Sequence, residues 1–165
     1  MTLTHLDSEG RPRMVDVSAK AITRRRAVAA GYLELCPACA EALEKGGGPK
    51  GDPWSVARIA AVGGVKRTSD LIPLAHPLLV DTVDVAHHWD LAGRRAWLRV
   101  EVTVEGRTGV EMEAMAGVTV GLLALYDMLK AISHEMALGP ARLLQKSGGR
   151  RGSLAWPWPE CPWLG

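Results

Sequence analysis

Two alternating apolar runs joined by a glycine turn, three stretches of helical periodicity and two further short strand patterns predict an α+β fold. Their order along the chain reads β-α-α-β-β-α-β. That order suits the ferredoxin-like plan, an antiparallel sheet with helices packed on one face.

Met14 to Ser18 alternates through Val15 and Val17 and reads as a short first strand. Lys20 to about Lys45 is rich in Ala, Leu, Arg and Glu. Ala27, Ala30, Tyr32, Leu35 and Leu43 can share a helical apolar face there, with Pro37 kinking or dividing the helix. Gly46-Gly47-Gly48-Pro49-Lys50-Gly51 breaks the pattern, and Pro49 stiffens the approach to Lys50. Asp52 then has the look of an N-cap with Pro53 at the first helical position, opening a helix to about Arg67.

Pro73 and Pro77 make residues 69 to 77 an ordered loop. Leu79–Trp89 and Arg94–Glu105 both alternate, and Leu91-Ala92-Gly93 between them suggests a hairpin. Val110 to about His134 is the longest helix, and its Gly and Ala content suggests close packing. Gly139-Pro140 then interrupts, and Ala141 to Gln145 reads as the last strand. The chain is expected to form a single domain over residues 1–165, with residues 1–12 and 153–165 as extended tails. Ala155-Trp156-Pro157-Trp158-Pro159 cannot be a helix or a central strand, because its prolines lack the N–H donor and fix φ. It reads as a strap on the surface or on a neighbouring subunit.

A net charge of +2 excludes a strongly basic nucleic-acid arm but leaves room for a local basic pocket. No apolar run of about 18 residues is visible, so no membrane partner is expected. The first residues lack the apolar stretch of a signal peptide, which predicts a cytoplasmic location. Three cysteines, an odd number, argue against a disulfide framework. Cys36-Pro37-Ala38-Cys39 has the CxxC form, but no second pair completes a four-ligand zinc site. Inside a helical stretch rather than at a strand-to-helix turn, it reads as small, partly buried residues rather than a redox pair.

Five segments place polar groups where folding alone does not need them. Lys50-Gly51-Asp52 sets a lysine before a helix start, where free N–H groups favour an anion; the plain alternative is an exposed loop lysine. Lys66-Arg67-Thr68 precedes a proline-bounded loop that holds His76, either as a donor or acid–base group or as a satisfied core histidine. Glu111 and Glu113 fall in a first helical turn after Thr108-Gly109, where acids also occur for the sake of the helix dipole. Asp127 and Lys130 stand at i and i+3 among apolar neighbours; a lysine partly buried there would have a lowered pKa. Lys146 to Gly152 joins flexible backbone to positive charge and could wrap a phosphate. Glu113 and Asp127, 14 positions apart, lie on similar faces but about 21 Å from each other by helix rise. They can meet one ligand only at its opposite ends, or in separate subunits.

Together these segments resemble the cyclic pyranopterin monophosphate synthase family of molybdenum cofactor biosynthesis. The matching stretches are MVDVSAK (14–20), KGD (50–52), ARIA (57–60), KRTSDLIPLAHPL (66–78), TGVEMEA (108–114), ALYDMLKA (124–131) and GPARLLQKSGG (139–149). They keep the family's order and cover the chain to about residue 150. The loop reads Leu74-Ala75-His76 where the family has Leu-Cys-His, so a thiol at position 75 is not essential here.

The resemblance implies a lyase that converts 3′,8-cyclo-7,8-dihydroguanosine triphosphate to cyclic pyranopterin monophosphate and releases pyrophosphate. It implies a homohexamer, a trimer of dimers, with active sites at subunit interfaces. It makes Asp127, Lys50 and Lys130 catalytic. It assigns substrate contacts to Leu74, Ala75, His76, Met112 and Glu113, with Lys66, Arg25 and Lys146 as supporting basic groups. The implied reaction opens the imidazole part of a purine, rebuilds a pterin and closes a cyclic phosphate. Each step moves protons, which suits lysines around an aspartate. A triphosphate needs Lys and Arg to bind it and to stabilise the departing pyrophosphate. No electron transfer is involved, so no cofactor and no metal site are expected, with Mg²⁺ on the triphosphate left open. A ferredoxin-like RNA-binding module is the competing class. Neither central strand pattern carries the paired exposed aromatics that stack bases, which argues against it. A structural subunit or degenerate paralogue is a third class, opposed by the filled site positions.

Overall fold

The computed structural model describes residues 7, 9–48 and 50–163. The predicted stiffening by Pro49 and most of the first tail lie outside the described residues.

The elements are β1 (Thr23–Glu34), α1 (Pro37–Glu44), α2 (Pro53–Lys66), α3 (Thr68–Leu71), β2 (Thr82–Asp90), β3 (Arg95–Gly106), α4 (Glu111–Leu129), β4 (Ala137–Ser147) and β5 (Leu154–Ala155). The sheet order is β2-β3-β1-β4-β5, and every pairing is antiparallel. Without the two-residue β5 this is the expected α+β, split β-α-β layout. The hairpin forms as predicted, with Trp89 opposite Ala96 and Asp90 opposite Arg95.

The first third of the chain departs from its sequence pattern. Met14 to Val17 joins no strand and Ser18 opens a turn, and Thr23–Glu34 of the supposed helix from Lys20 is β1, leaving only Pro37–Glu44 helical. The reason is burial on both sides. Ala27, Ala29 and Leu33 face the helices, while Val28, Ala30 and Tyr32 face the other way into a second apolar cluster. A strand covered on both faces loses polar alternation, and its small residues then mimic a helix. Arg25 therefore sits on a strand.

The long helix stops at Leu129, short of the expected His134. The last strand is longer than expected, because Gly139-Pro140 is absorbed as a bulge opposite Tyr32. A side chain at Gly139 would run into the Tyr32 ring, 2.3 Å from its Cε2.

α4 is long and apolar enough to cross a membrane by length and composition, yet 56% of that stretch is buried within the fold. It packs along α2 at glycine distance. A Cβ at Gly117 would lie 2.7 Å from Val65 Cγ2, and one at Gly64 would lie 2.9 Å from Ala116 O. The two helices run antiparallel, so Lys66 at the end of α2 lies near the start of α4. On the sheet's other face the tail folds back. Trp158 and Cys161 are buried against Tyr32, Trp97 and Leu144, with the Trp97 and Trp158 rings edge-on at 5.0 Å. The expected strap thus lies across the sheet of the same chain.

Candidate functional site

Asp52 caps α2 as its sequence position predicts. Its carboxylate accepts from the backbone N–H groups of Trp54 and Ser55 at 3.0 and 3.2 Å, with Pro53 at the first helical position. The free helix-start donors expected to aid Lys50 are therefore taken up by Asp52. Lys50 turns the other way. Gly51, at φ +94, occupies the left-handed region that glycine enters without strain and completes the turn that carries it. Lys50 Nζ donates to Asp127 Oδ2 at 2.9 Å and to the Asp127 carbonyl at 3.0 Å. On the other side Lys130 Nζ lies 2.6 Å from Asp127 Oδ1.

Asp127 thus bridges two ammonium groups. Hydrogen bonds from Lys130 and then from Lys50 hold its carboxyl down at about 2. The same contact raises the Lys130 ammonium above its ordinary pKa. The sequence suggested the opposite, a lysine lowered by burial. The correction follows from exposure: the Lys50, Asp127 and Lys130 side chains are 41%, 52% and 45% exposed, so little desolvation opposes the ion pairs.

The remaining candidates gather at the other end of α4. Leu74, Ala75 and His76, from the loop after α3, line one cavity of about 370 Å³ with Met112 and Glu113. His76 Nε2 lies 2.8 Å from the Val15 carbonyl; a carbonyl only accepts, so Nε2 carries the hydrogen. The segment at 14–18 thus has a task that its misread strand pattern concealed: its Val15 carbonyl holds the histidine ring. Glu113 is 4% exposed. Burial, reinforced by the nearby Glu111 charge, pushes its carboxyl pKa up. Glu111 instead pairs with Lys146. The two acids of that first turn thus have different surroundings.

A second, larger cavity of about 1130 Å³ shares Lys20, Thr108, Gly109 and Glu111 with the first. Arg25, Arg107, Lys146, Arg150 and Arg151 line it, so a cationic basin opens beside the histidine cavity. Arg25 reaches it by donating to the Gly106 carbonyl at 3.3 Å and the Arg107 carbonyl at 3.3 Å. Sequence reasoning missed Lys20 and Arg107 as site residues. Their only signals were the end of the 14–20 motif and the position just before Thr108-Gly109. Lys66 is exposed at the same end of the helix pair but lines neither cavity. Among the described residues no group of three or more His, Cys, Asp or Glu is gathered as metal ligands.

The candidates therefore form two constellations, one at each end of a 19-residue helix. Glu113 and Asp127 belong to different constellations, about 21 Å apart by helix rise.

The MoaC family model matches residues 14–149. A protein of a Roseiflexus species is 50% identical over 152 residues, covering 92% of this chain and 96% of its own length. One from Pelotomaculum thermopropionicum is 46% identical over 160 residues, covering 93% and 94%. A third, from Parvibaculum lavamentivorans, is 45% identical over 150 residues, covering 91% and 94%. All three bear the name cyclic pyranopterin monophosphate synthase. With this match over most of its length, the chain belongs to the MoaC family.

Proposed function

We propose that this chain, working as one domain, converts 3′,8-cyclo-7,8-dihydroguanosine triphosphate to cyclic pyranopterin monophosphate with release of pyrophosphate. The observation that carries the reading is the Asp127 carboxylate held between Lys50 and Lys130. With its pKa held down at about 2, that carboxylate is ionised near neutral pH and fixes both ammonium groups in one orientation. The lysines start as proton donors, and one that has given up its proton is the base for the next transfer. Asp127 orients the pair and offsets the charge left on it.

The substrate's opposite ends match the other constellation. A guanine-derived ring and sugar suit the cavity of His76, Glu113, Met112, Leu74 and Ala75. The triphosphate suits the adjoining basin of Arg25, Lys146 and Arg107, and these cations neutralise the pyrophosphate as it departs. No resident cofactor or metal enters this scheme.

One protomer holds the two halves too far apart for a single small molecule. The reading therefore has a working site formed where the lysine–aspartate end of one protomer meets the histidine end of another. A homohexamer built as a trimer of dimers, located in the cytoplasm, supplies such contacts repeatedly. The test gives purified protein the cyclic dihydroguanosine triphosphate and measures pyrophosphate and the pterin product. Both should appear in equal amounts. Binding of the nucleotide with neither product would overturn the assignment.

A further inference from the structure

We propose that Cys36 and Cys39 form a redox-active dithiol that closes to a disulfide by exchange with a low-molecular-weight disulfide. The pair does not lie inside a helix, as the sequence pattern suggested. It stands at the strand-to-helix turn between β1 and α1, with Cys36 as the N-cap and Pro37 at the first helical position. No side-chain oxygen caps this helix. The Cys36 sulfur makes no capping hydrogen bond either, and the Cys39 thiol is directed at the Leu129 and Ser133 carbonyls, 3.9 Å from each.

The two thiols differ in kind. Cys36 is partly exposed, and Cys39 is fully buried. Burial acts to raise the Cys36 thiol, but the surrounding polar groups of Cys39, Ser133 and Ala38 outweigh burial and lower its pKa. Burial first, and Cys36 second, push the Cys39 thiol up to about 11. A partly exposed thiol shifted down therefore lies next to a buried one shifted up. Helix geometry puts Cα atoms three positions apart at about 5 Å, inside the range that a disulfide spans. No third His, Cys, Asp or Glu joins them among the described residues, so a metal site is not the use of this pair.

The exchange balances as follows. The Cys36 thiolate attacks one sulfur of a small disulfide and expels one thiolate, leaving a mixed disulfide on Cys36. The Cys39 thiol loses its proton to that expelled thiolate. Cys39 sulfur then attacks the Cys36 sulfur and releases the second small thiolate, which takes a proton from solvent. Two protein thiols are oxidised and one small disulfide is reduced. This proposal stands apart from the synthase reading and does not need it.

The test uses the full chain in buffers of oxidised and reduced glutathione, quenched in acid and alkylated. Trypsin cuts after Arg26 and Lys45, so both cysteines fall in one peptide, and Cys161 elsewhere serves as the internal control. The peptide is expected to lose both alkylation sites and two hydrogens in oxidised buffer, and to regain them in reduced buffer. In the reduced protein Cys36 should alkylate at least about tenfold faster than Cys161 at neutral pH. Cys39→Ser should stop at one glutathione adduct on Cys36, and Cys36→Ser should leave Cys39 unmodified. A wild-type protein that keeps both thiols, or holds a glutathione adduct without closing, overturns the proposal. So does equal alkylation of Cys36 and Cys161.

Discussion

Lys50 and Asp127 are 77 positions apart in the chain, yet the lysine Nζ contacts both the carboxylate and the backbone carbonyl of the aspartate, at 2.9 and 3.0 Å. The double contact ties the turn before α2 to the last turn of α4. Lys130 completes the arrangement from the opposite side at 2.6 Å.

Removing either partner should stop the chemistry and spare the fold. Lys50→Ala and Asp127→Ala are each expected to lower turnover by at least about a hundredfold, the low end for positioned acid–base groups. Their circular dichroism and thermal midpoints should stay near wild type, because all three side chains are roughly half exposed. Full pyrophosphate release by either variant would refute the catalytic assignment.

The separation of the two constellations predicts complementation. Lys50→Ala and His76→Ala damage opposite ends of α4, so each alone should be inactive. Unfolded together and refolded as a mixture, they should regain on the order of a quarter of wild-type activity, since half of randomly formed two-fold pairs are mixed and each mixed pair keeps one intact site. No recovery in an assembly shown to contain both chains would mean that each chain works alone.

Two carboxyls should show opposite pH behaviour. The Asp127 carboxyl, lowered from 3.8 to about 2, makes only a small, solvent-screened contribution to stability above 3.8, which is lost as pH falls toward 2. The Glu113 carboxyl is raised above 4.5 by burial, so its stability is fully present below 4.5 and is lost as pH rises through the raised value. Glu113→Gln is therefore expected to raise the melting temperature at neutral pH and to leave it unchanged below 4.5. Thermal melts across that range measure the difference. Equal shifts at both pH values would exclude desolvation as the cause.

The glycine seam between α2 and α4 sets a competition of magnitudes. Gly117→Ala gains about 1 kcal/mol of helix propensity. The new methyl would lie 2.7 Å from Val65 Cγ2 and 3.0 Å from Val100 Cγ1, both on stiff β-branched side chains. Overpacking of this kind costs about 1–3 kcal/mol, so a net loss is expected in urea denaturation. A more stable variant would show that the helices separate easily.

The sequence made the sheet class, the hairpin and the N-cap at Asp52 legible, because each rests on local chemistry: alternation, a glycine turn, an acid followed by proline. It hid β1, because Val28, Ala30 and Tyr32 are covered by Trp97, Leu144 and a tail more than a hundred residues away. It joined Asp127 to Lys130 through helical spacing but gave no local sign that Lys50 reaches the same carboxylate. Motif resemblance alone linked them. The exposure of that cluster was equally hidden, because apolar neighbours in sequence do not reveal which side of a helix faces water.

The rod between Glu113 and Asp127 also constrains how this gene can drift. Each residue of an α-helix adds 1.5 Å and a rotation of about 100°. One inserted residue would swing Asp127 and Lys130 out of phase with Lys50, whereas a four-residue insertion would nearly restore the angle and push them about 6 Å along the axis. The identity of outward-facing residues such as Thr119 and Leu123 does not enter this geometry. The count of residues between the two ends is not free to change.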